Sequence, residues 1–425
     1  MTFEEHLSKY LTEEEIKSLL SCLNEADKKA IYLNKNKMSE KTLLSLFPNL
    51  KKHPVVENGF LFNKDEYQLG KKVYHELGAY YIQEPSAMLV ANFLNAEPGD
   101  IVLDLCAAPG GKTIQTALKM NNEGMIIAND LSKSRTNILL SNIERLGIRN
   151  TIVTSLDFSK QSNKFQNYFD KIILDAPCSG SGMFRKSDGM KLDWTYEKVL
   201  KNAEIQKELI LMCYNMLKKG GTLIYSTCSY SFEEDEEVIE HLLKNTDAIL
   251  IPVPSFLGEY RSKKFPETVH LFPNLFEGEG HYISLIKKPG EILKSKLNSC
   301  KILRTSSTRG GIKETNEFIM PSTLPHNFED LCIRPGLFTT TKIGNKQIMS
   351  HHYSHVLDSS GSIELTKEEL IKYLKGETIN KKYQDGFYPV SYLGMNIGVV
   401  HSLNGTLKNL YPKGLRINAD IASSF

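Results

Sequence analysis

No pair of the seven cysteines in this 425-residue sequence has C-x-x-C spacing: Cys22, Cys106, Cys178, Cys213, Cys228, Cys300 and Cys332 are scattered and odd in number. That pattern argues against a disulfide framework or a cysteine-based zinc site and fits a reducing compartment. No apolar stretch approaches the roughly 18 residues a spanning helix requires, and the opening MTFEEHLSKYL is acidic without an apolar targeting run. A membrane partner is therefore not expected, and the expected location is the cytoplasm. Nor is one sign of charge in excess: 52 Lys and Arg face 50 Asp and Glu, which does not by itself announce a nucleic-acid partner. Internal repeats and low-complexity tracts are missing too, and 41% hydrophobic with 24% charged residues is the composition of a folded chain of several domains.

The charge is unevenly placed. Residues 287–425 hold 19 Lys and Arg against 12 Asp and Glu, whereas residues 1–286 hold 33 against 38. Near the start, Leu7, Leu11, Ile16, Leu19, Leu20 and Leu23 have helical spacing, and Thr12 with Glu15 forms a capping-box pattern. From Asp100, short apolar runs at 101–105, 125–130, 151–157, 171–177 and 222–228 alternate with helical segments at Thr113–Met120, Lys133–Leu146 and Glu197–Leu217. Alternation of this kind predicts a doubly wound α/β domain with a mostly parallel sheet, and Thr268–Phe272 with Tyr282–Ile286 are placed to close it as an antiparallel hairpin. Residues 288–300 look like a polar linker. Beyond it, Leu331–Ser350 looks strand-like, Lys367–Leu374 helical, and Gly386–Leu403 β-rich with Gly394, Gly398 and Gly405 at turns.

In an open parallel sheet, ligands bind outside the carboxyl ends of the strands. The first strand runs into Cys106-Ala107-Ala108-Pro109-Gly110-Gly111-Lys112, where small residues let the backbone approach a ligand and the next helix offers unpaired amides. Acids end the following strands: Asp130, Asp157 and Asp175. One such acid is ordinarily a helix cap, but three in succession favour an adenosine-type ligand. A phosphate-binding NTPase loop is a poor fit, because Cys106 stands where that template needs glycine and Pro109 lies inside the loop. G-x-G-x-x-G is absent as well. A methyl donor carrying adenosine and a methionine carboxylate ranks first. Cys178 then follows the fourth strand and Cys228 ends the fifth, both overlooking the crevice, where a thiolate can add to an electron-poor carbon while a second group handles the departing proton. The other cysteines have the pattern of inert core residues, and His351, His352 and His355 that of surface or packing residues, so no metal is expected.

The segments LDLCAAPGGKT, AND ending at Asp130, LDAPCSGSGMFRK, Gln206 and GGTLIYSTCS together resemble the RNA cytosine-C5 methyltransferases of the Sun and nucleolar-protein family, from about Gly78 to about Ile286. LCIRPGLF, HHYSH, YLKGE and KNLYPKGLR in the tail are similar to bacterial small-subunit rRNA members with a terminal PUA-like module. The resemblance implies a Rossmann-like class I methyltransferase core, mostly parallel with an antiparallel terminal hairpin, using S-adenosylmethionine. It implies Cys228 as nucleophile on C6, Cys178 in proton removal and release, and Asp175 at the N3 edge. Cofactor contacts carried over are Cys106, Ala107, Ala108, Pro109, Gly110, Gly111, Lys112, Asp130 on the ribose, Arg135, Asp157 near the adenine, and Asp175. Departures from the family pattern are Tyr32, Phe158, Ser181 and Asp235, which stand where Arg, Gly, Glu and Asn are common.

The domains expected are a small N-terminal α+β RNA-binding unit at 1–80, the core at 81–288, a linker or intermediate subdomain at 289–357 and a β-rich PUA-like unit at 358–425. Lys408, Tyr411, Lys413 and Arg416 are the expected RNA-facing residues of the tail. Small-subunit rRNA, free or within an assembled 30S subunit, is the expected partner of a monomer. tRNA is the runner-up substrate, and a non-catalytic RNA-binding assembly factor is the alternative of another class.

Overall fold

A computed structural model of the protein describes residues 1–185, 188–291, 293, 300–309 and 312–417. Most of the predicted linker at 288–300, and Lys186 of the LDAPCSGSGMFRK segment, lie outside the described residues. Among the described residues the central sheet has nine strands: β1 (Ile101–Asp104), β2 (Met125–Asn129), β3 (Thr151–Thr154), β4 (Phe169–Asp175), β5 (Leu217–Thr227), β6 (Ile249–Ile251), β7 (Val269–His270), β8 (Tyr282–Lys287) and β9 (Cys332–Arg334). Their order is β6-β8-β5-β4-β1-β2-β3-β9, with β7 also on β8. Strands β1 to β5 pair in parallel, and their central apolar residues are covered on both faces, as a parallel sheet requires. β8 closes the sheet antiparallel on β5, with β7 beside it. The predicted α/β class and terminal hairpin are both present, and β6 adds an antiparallel strand that the periodicity did not reveal.

Helices Gly111–Lys119, Lys133–Arg145 and Tyr196–Met216 cross over between these strands. Asp157 is not in β3. It lies beyond the strand and caps a short 3₁₀ turn, its carboxylate accepting from the Ser159 backbone amide at 3.1 Å. Two hydrophobic clusters sandwich the sheet, one through Val102, Ile126 and Ile173, the other through Leu103, Ile127, Ile172 and the helix residues Ile210 and Cys213.

Before the core, helices Phe3–Leu7 and Glu13–Cys22 precede a four-stranded antiparallel sheet formed by Lys29–Leu33, Lys51–Lys52, Gly59–Phe62 and Tyr80–Gln83. The Thr12–Glu15 capping box is formed. After the core, Cys300–Arg309, Ile312–Pro321, Leu337–Ile343 and Lys346–Met349 make an antiparallel sheet, while the intervening Cys332–Arg334 is the β9 edge of the core. The last unit pairs Ile363–Glu364, Gly386–Tyr392, Met395–Leu403 and Thr406–Asn409, with helix Lys367–Lys375 against them. Gly394 and Gly405 occupy turns, but Gly398 does not. It sits inside a strand at φ 154°, where an added Cβ would lie 2.1 Å from the Tyr373 hydroxyl, so packing rather than a turn demands the glycine.

Candidate active site

Parallel register decides which strand ends meet. Asp175 of β4 is directly opposite Ser226 of β5, so the chain beyond each strand enters the same crevice. Cys178 lies three residues past Asp175 and Cys228 two past Ser226, and their sulfurs are 3.2 Å apart. The two loops are tied together, because the Gly182 amide donates to the Cys228 carbonyl at 2.7 Å. Contact with Cys228, and then burial, pushes the Cys178 thiol well above its ordinary pKa. Asp175 accepts from Lys112 Nζ and from the Ser226 hydroxyl, each at 2.7 Å. Burial alone would raise the Asp175 carboxyl, but Lys112, His281 and Ser226 outweigh it and hold it below the usual carboxylate range.

The loop after β1 curls beside this pair. Gly110 has φ 112°, a conformation that favours glycine, and Gly111 begins the helix where a Cβ would press on Tyr81 at 2.9 Å. Arg135 donates to the Ala108 carbonyl at 2.6 Å and lies 3.1 Å from Asp130, so it braces the loop from outside. Asp130 is 3% exposed; its Oδ1 accepts from the Ser132 amide at 3.0 Å and its Oδ2 faces the Arg135 guanidinium. A buried carboxylate at this strand end stands where a ribose hydroxyl could donate to it, which fits an adenosine-bearing cofactor. Cys106 is partly buried with its thiol pushed well up by burial. Asp104, fully buried and hydrogen-bonded by Thr113 at 2.6 Å, is pushed up to about 7 by burial. Asp157 stays at the rim, its side chain 43% exposed and paired with Lys160.

Sequence reasoning missed the acid behind the cysteines. Glu234 accepts from the Ser179 amide, from the Ser179 and Ser229 hydroxyls, and from Gln206, which also reaches the Pro177 carbonyl. Glu234 thereby gathers the loops that carry Cys178 and Cys228. The signal available was its place six residues after Cys228, but nothing local says what such a glutamate touches. Glu84 was likewise unread: it accepts from the backbone amides of Ser86, Ala87 and Glu279, and His281 keeps its carboxyl low against burial. Two departures have packing explanations. The Ser181 hydroxyl accepts from the Tyr230 amide at 2.8 Å, and Phe158 is buried against Phe165. Asp235, pushed well up by burial and by Glu236, receives the Thr227 hydroxyl, and with Glu236 and His270 it brings three ligand-type atoms within 4.8 Å. Glu236 already accepts from His270 and Ser262 there.

The tail corrects one expectation. Tyr411 is not surface: it is 5% exposed and packs on His351 and Tyr373, because the last residues fold back onto the His351–Ser354 helix. Lys408 and Lys413 are exposed. His355 is a packing residue, accepting from Lys37 at 2.9 Å, and His352 meets Glu144 at 2.9 Å, so these histidines join the tail to the N-terminal sheet and the core. Among the described residues, no helix is long and apolar enough to cross a membrane.

Comparison with known proteins adds independent findings. A family model described as 16S rRNA methyltransferase RsmB/F matches residues 91–287, one for the N-terminal domain of 16S rRNA methyltransferase RsmF matches 1–85, and one for the methyltransferase RsmF PUA domain matches 360–417. The chain is 32% identical over 406 residues to "Ribosomal RNA small subunit methyltransferase F" of Vibrio parahaemolyticus, covering 85% of each. It is 32% identical over 431 residues to the protein of the same description from Shewanella piezotolerans, covering 91% of this chain and 90% of that one. A solved structure described as a methyltransferase homolog protein from Pyrococcus horikoshii is 30% identical with a TM-score of 0.59, over 67% of this chain and 93% of that one.

Proposed function

We propose that this chain, which belongs to the RsmB/F family of 16S rRNA methyltransferases, transfers a methyl group from S-adenosylmethionine to C5 of a cytosine in small-subunit rRNA. The observation that carries the reading is the pair of thiols at 3.2 Å beside an ionised, lysine-braced Asp175. Bound S-adenosylmethionine supplies the methyl group. The 106–112 loop and Asp130 would hold that cofactor, with Asp157 at the adenine rim and Arg135 bracing the loop.

In this mechanism Cys228 adds to C6 of a cytosine turned out of any stack, which makes C5 nucleophilic enough to accept the methyl group. The proton that the Cys228 thiol gives up on addition passes by way of Asp175, itself hydrogen-bonded to Lys112 and Ser226, to N3, where it offsets the electron density the ring gains, and it is returned when the Cys228–C6 bond breaks. Cys178 starts protonated, since its contact with Cys228 and its burial raise it. Cys178, having passed its own proton to solvent, serves as the base that removes the C5 proton, and the electron pair left at C5 expels the Cys228 thiolate from C6.

The protein acts as a cytoplasmic monomer, on free rRNA or on the assembled small subunit. The test is transfer of labelled methyl to unmodified small subunits, free rRNA and tRNA, with mapping of 5-methylcytosine. Label at an rRNA cytosine supports the proposal. Label confined to tRNA reassigns the substrate, and no transfer to any of the three overturns the catalytic role on these RNAs.

A further inference from the structure

The four-stranded sheet between the core and the last unit has a face that no packing explains. Its first two strands, Cys300–Arg309 and Ile312–Pro321, pair through ten consecutive positions. Among the described residues, none from 301 to 319 joins a hydrophobic core cluster. Cross-strand partners share a face, and one face is fixed by its side-chain bonds. Arg304 pairs with Glu317 at 2.7 Å, Thr340 donates to the same Glu317, Gln347 donates to Thr340, and Ser306 meets Thr315 at 3.1 Å. The same register brings exposed Lys313 and Lys342 onto this face. The face therefore carries Arg304, Lys313 and Lys342 with one acid among its described residues, Glu317, which already sits against Arg304.

We infer that this sheet face, through Arg304, Lys313, Lys342 and the hydroxyls of Ser306, Thr308 and Thr315, is a docking surface for the sugar-phosphate backbone of the substrate rRNA. Charge complementarity selects the occupant, because cations among hydroxyl and amide donors match phosphate oxygens and ribose hydroxyls. Ile302, 63% exposed on the same face and paired with Ile319, adds apolar contact for a sugar or base edge. Ten extended residues span about 33 Å, enough to follow several nucleotides. The inference rests on the rRNA reading and adds a place where that rRNA is held away from the cysteines.

The experiment compares the full-length protein with Lys313→Ala/Lys342→Ala and with a control of equal charge loss, Lys17→Ala/Lys244→Ala. The dissociation constant for unmodified small-subunit rRNA is measured from about 50 to 200 mM salt, alongside methyl transfer and S-adenosylmethionine affinity. Loss of two phosphate contacts lowers the slope of log K against log salt by roughly 1.5 to 2 and weakens binding about tenfold at the lower salt. Cofactor affinity and melting temperature should not move. A double variant that binds and methylates rRNA like the wild type or like the control overturns the surface alone. A wild type that neither binds nor methylates rRNA overturns the substrate reading and this surface with it. Retained rRNA binding with loss of an acidic protein partner would also overturn it.

Discussion

Replacing Cys178 by alanine removes a sulfur 3.2 Å from Cys228 while leaving the anchors of both loops in place, since Glu234 holds Ser179 and Gly182 holds the Cys228 carbonyl. The substitution deletes one partly buried atom, so its folding cost should be about 1 kcal/mol, a melting shift of a few degrees. Its catalytic cost is far larger. A positioned base contributes about 10²- to 10⁴-fold, or roughly 3 to 5 kcal/mol of barrier, and only the step after methyl transfer should lose it. Addition through Cys228 and methylation proceed, release stalls, and a covalent protein–RNA species accumulates. The assay is denaturing electrophoresis of Cys178→Ala, Cys228→Ala and wild type incubated with unmodified rRNA and labelled S-adenosylmethionine. Cys178→Ala should give a denaturant-resistant band carrying methyl label and multiple-turnover rates lowered at least about 100-fold, while Cys228→Ala gives neither band nor product. An adduct in Cys228→Ala, or wild-type turnover in Cys178→Ala, would refute the assigned roles.

Asp130→Ala removes a buried carboxylate at the strand end, held by Arg135 and the Ser132 amide, and S-adenosylmethionine affinity measured by calorimetry should fall roughly 10- to 100-fold, as for one or two hydrogen bonds to a charged group. Asp104 is raised from 3.8 to about 7 by burial, so it takes up a proton on folding between those values. Its contribution to stability is present below pH 4 and lost as pH rises through 7, at most about 4 kcal/mol. Asp104→Asn should therefore flatten the fall in melting temperature between pH 5 and pH 8, and an unchanged slope would show that Asp104 does not control it. Glu234→Gln replaces an oxygen acceptor with an amide beneath the two cysteine loops; a loss of about 2 to 3 kcal/mol by denaturant titration is expected, with turnover reduced more than cofactor affinity. Wild-type stability in that variant would mean the loops are held by other contacts.

The core and the crevice are legible in the residue pattern alone, for a local reason. Fully buried parallel strands must be continuous apolar runs, so IVLD, MIIAN and KIILD announce themselves, and the strand-to-loop transitions announce the ligand side. Small residues at 106–111 and the cysteines at 178 and 228 follow from the same logic, because chemistry at a strand end is written within a few residues of the strand. The partners brought from far along the chain are fixed by folding instead. Glu234 beneath Ser179, Glu84 against the Glu279 amide, and Lys37 against His355 depend on contacts across 55, 195 and 318 positions that no spacing rule encodes. Tyr411 had the neighbours of a surface residue yet is covered by His351 and Tyr373, and Cys332–Arg334 left its own region to extend the core sheet beside β3. Local pattern specifies which backbone conformation and which face a segment prefers. Burial, the hydrogen bonds that make a buried acid tolerable, and the face a sheet leaves open are settled only when distant segments pack.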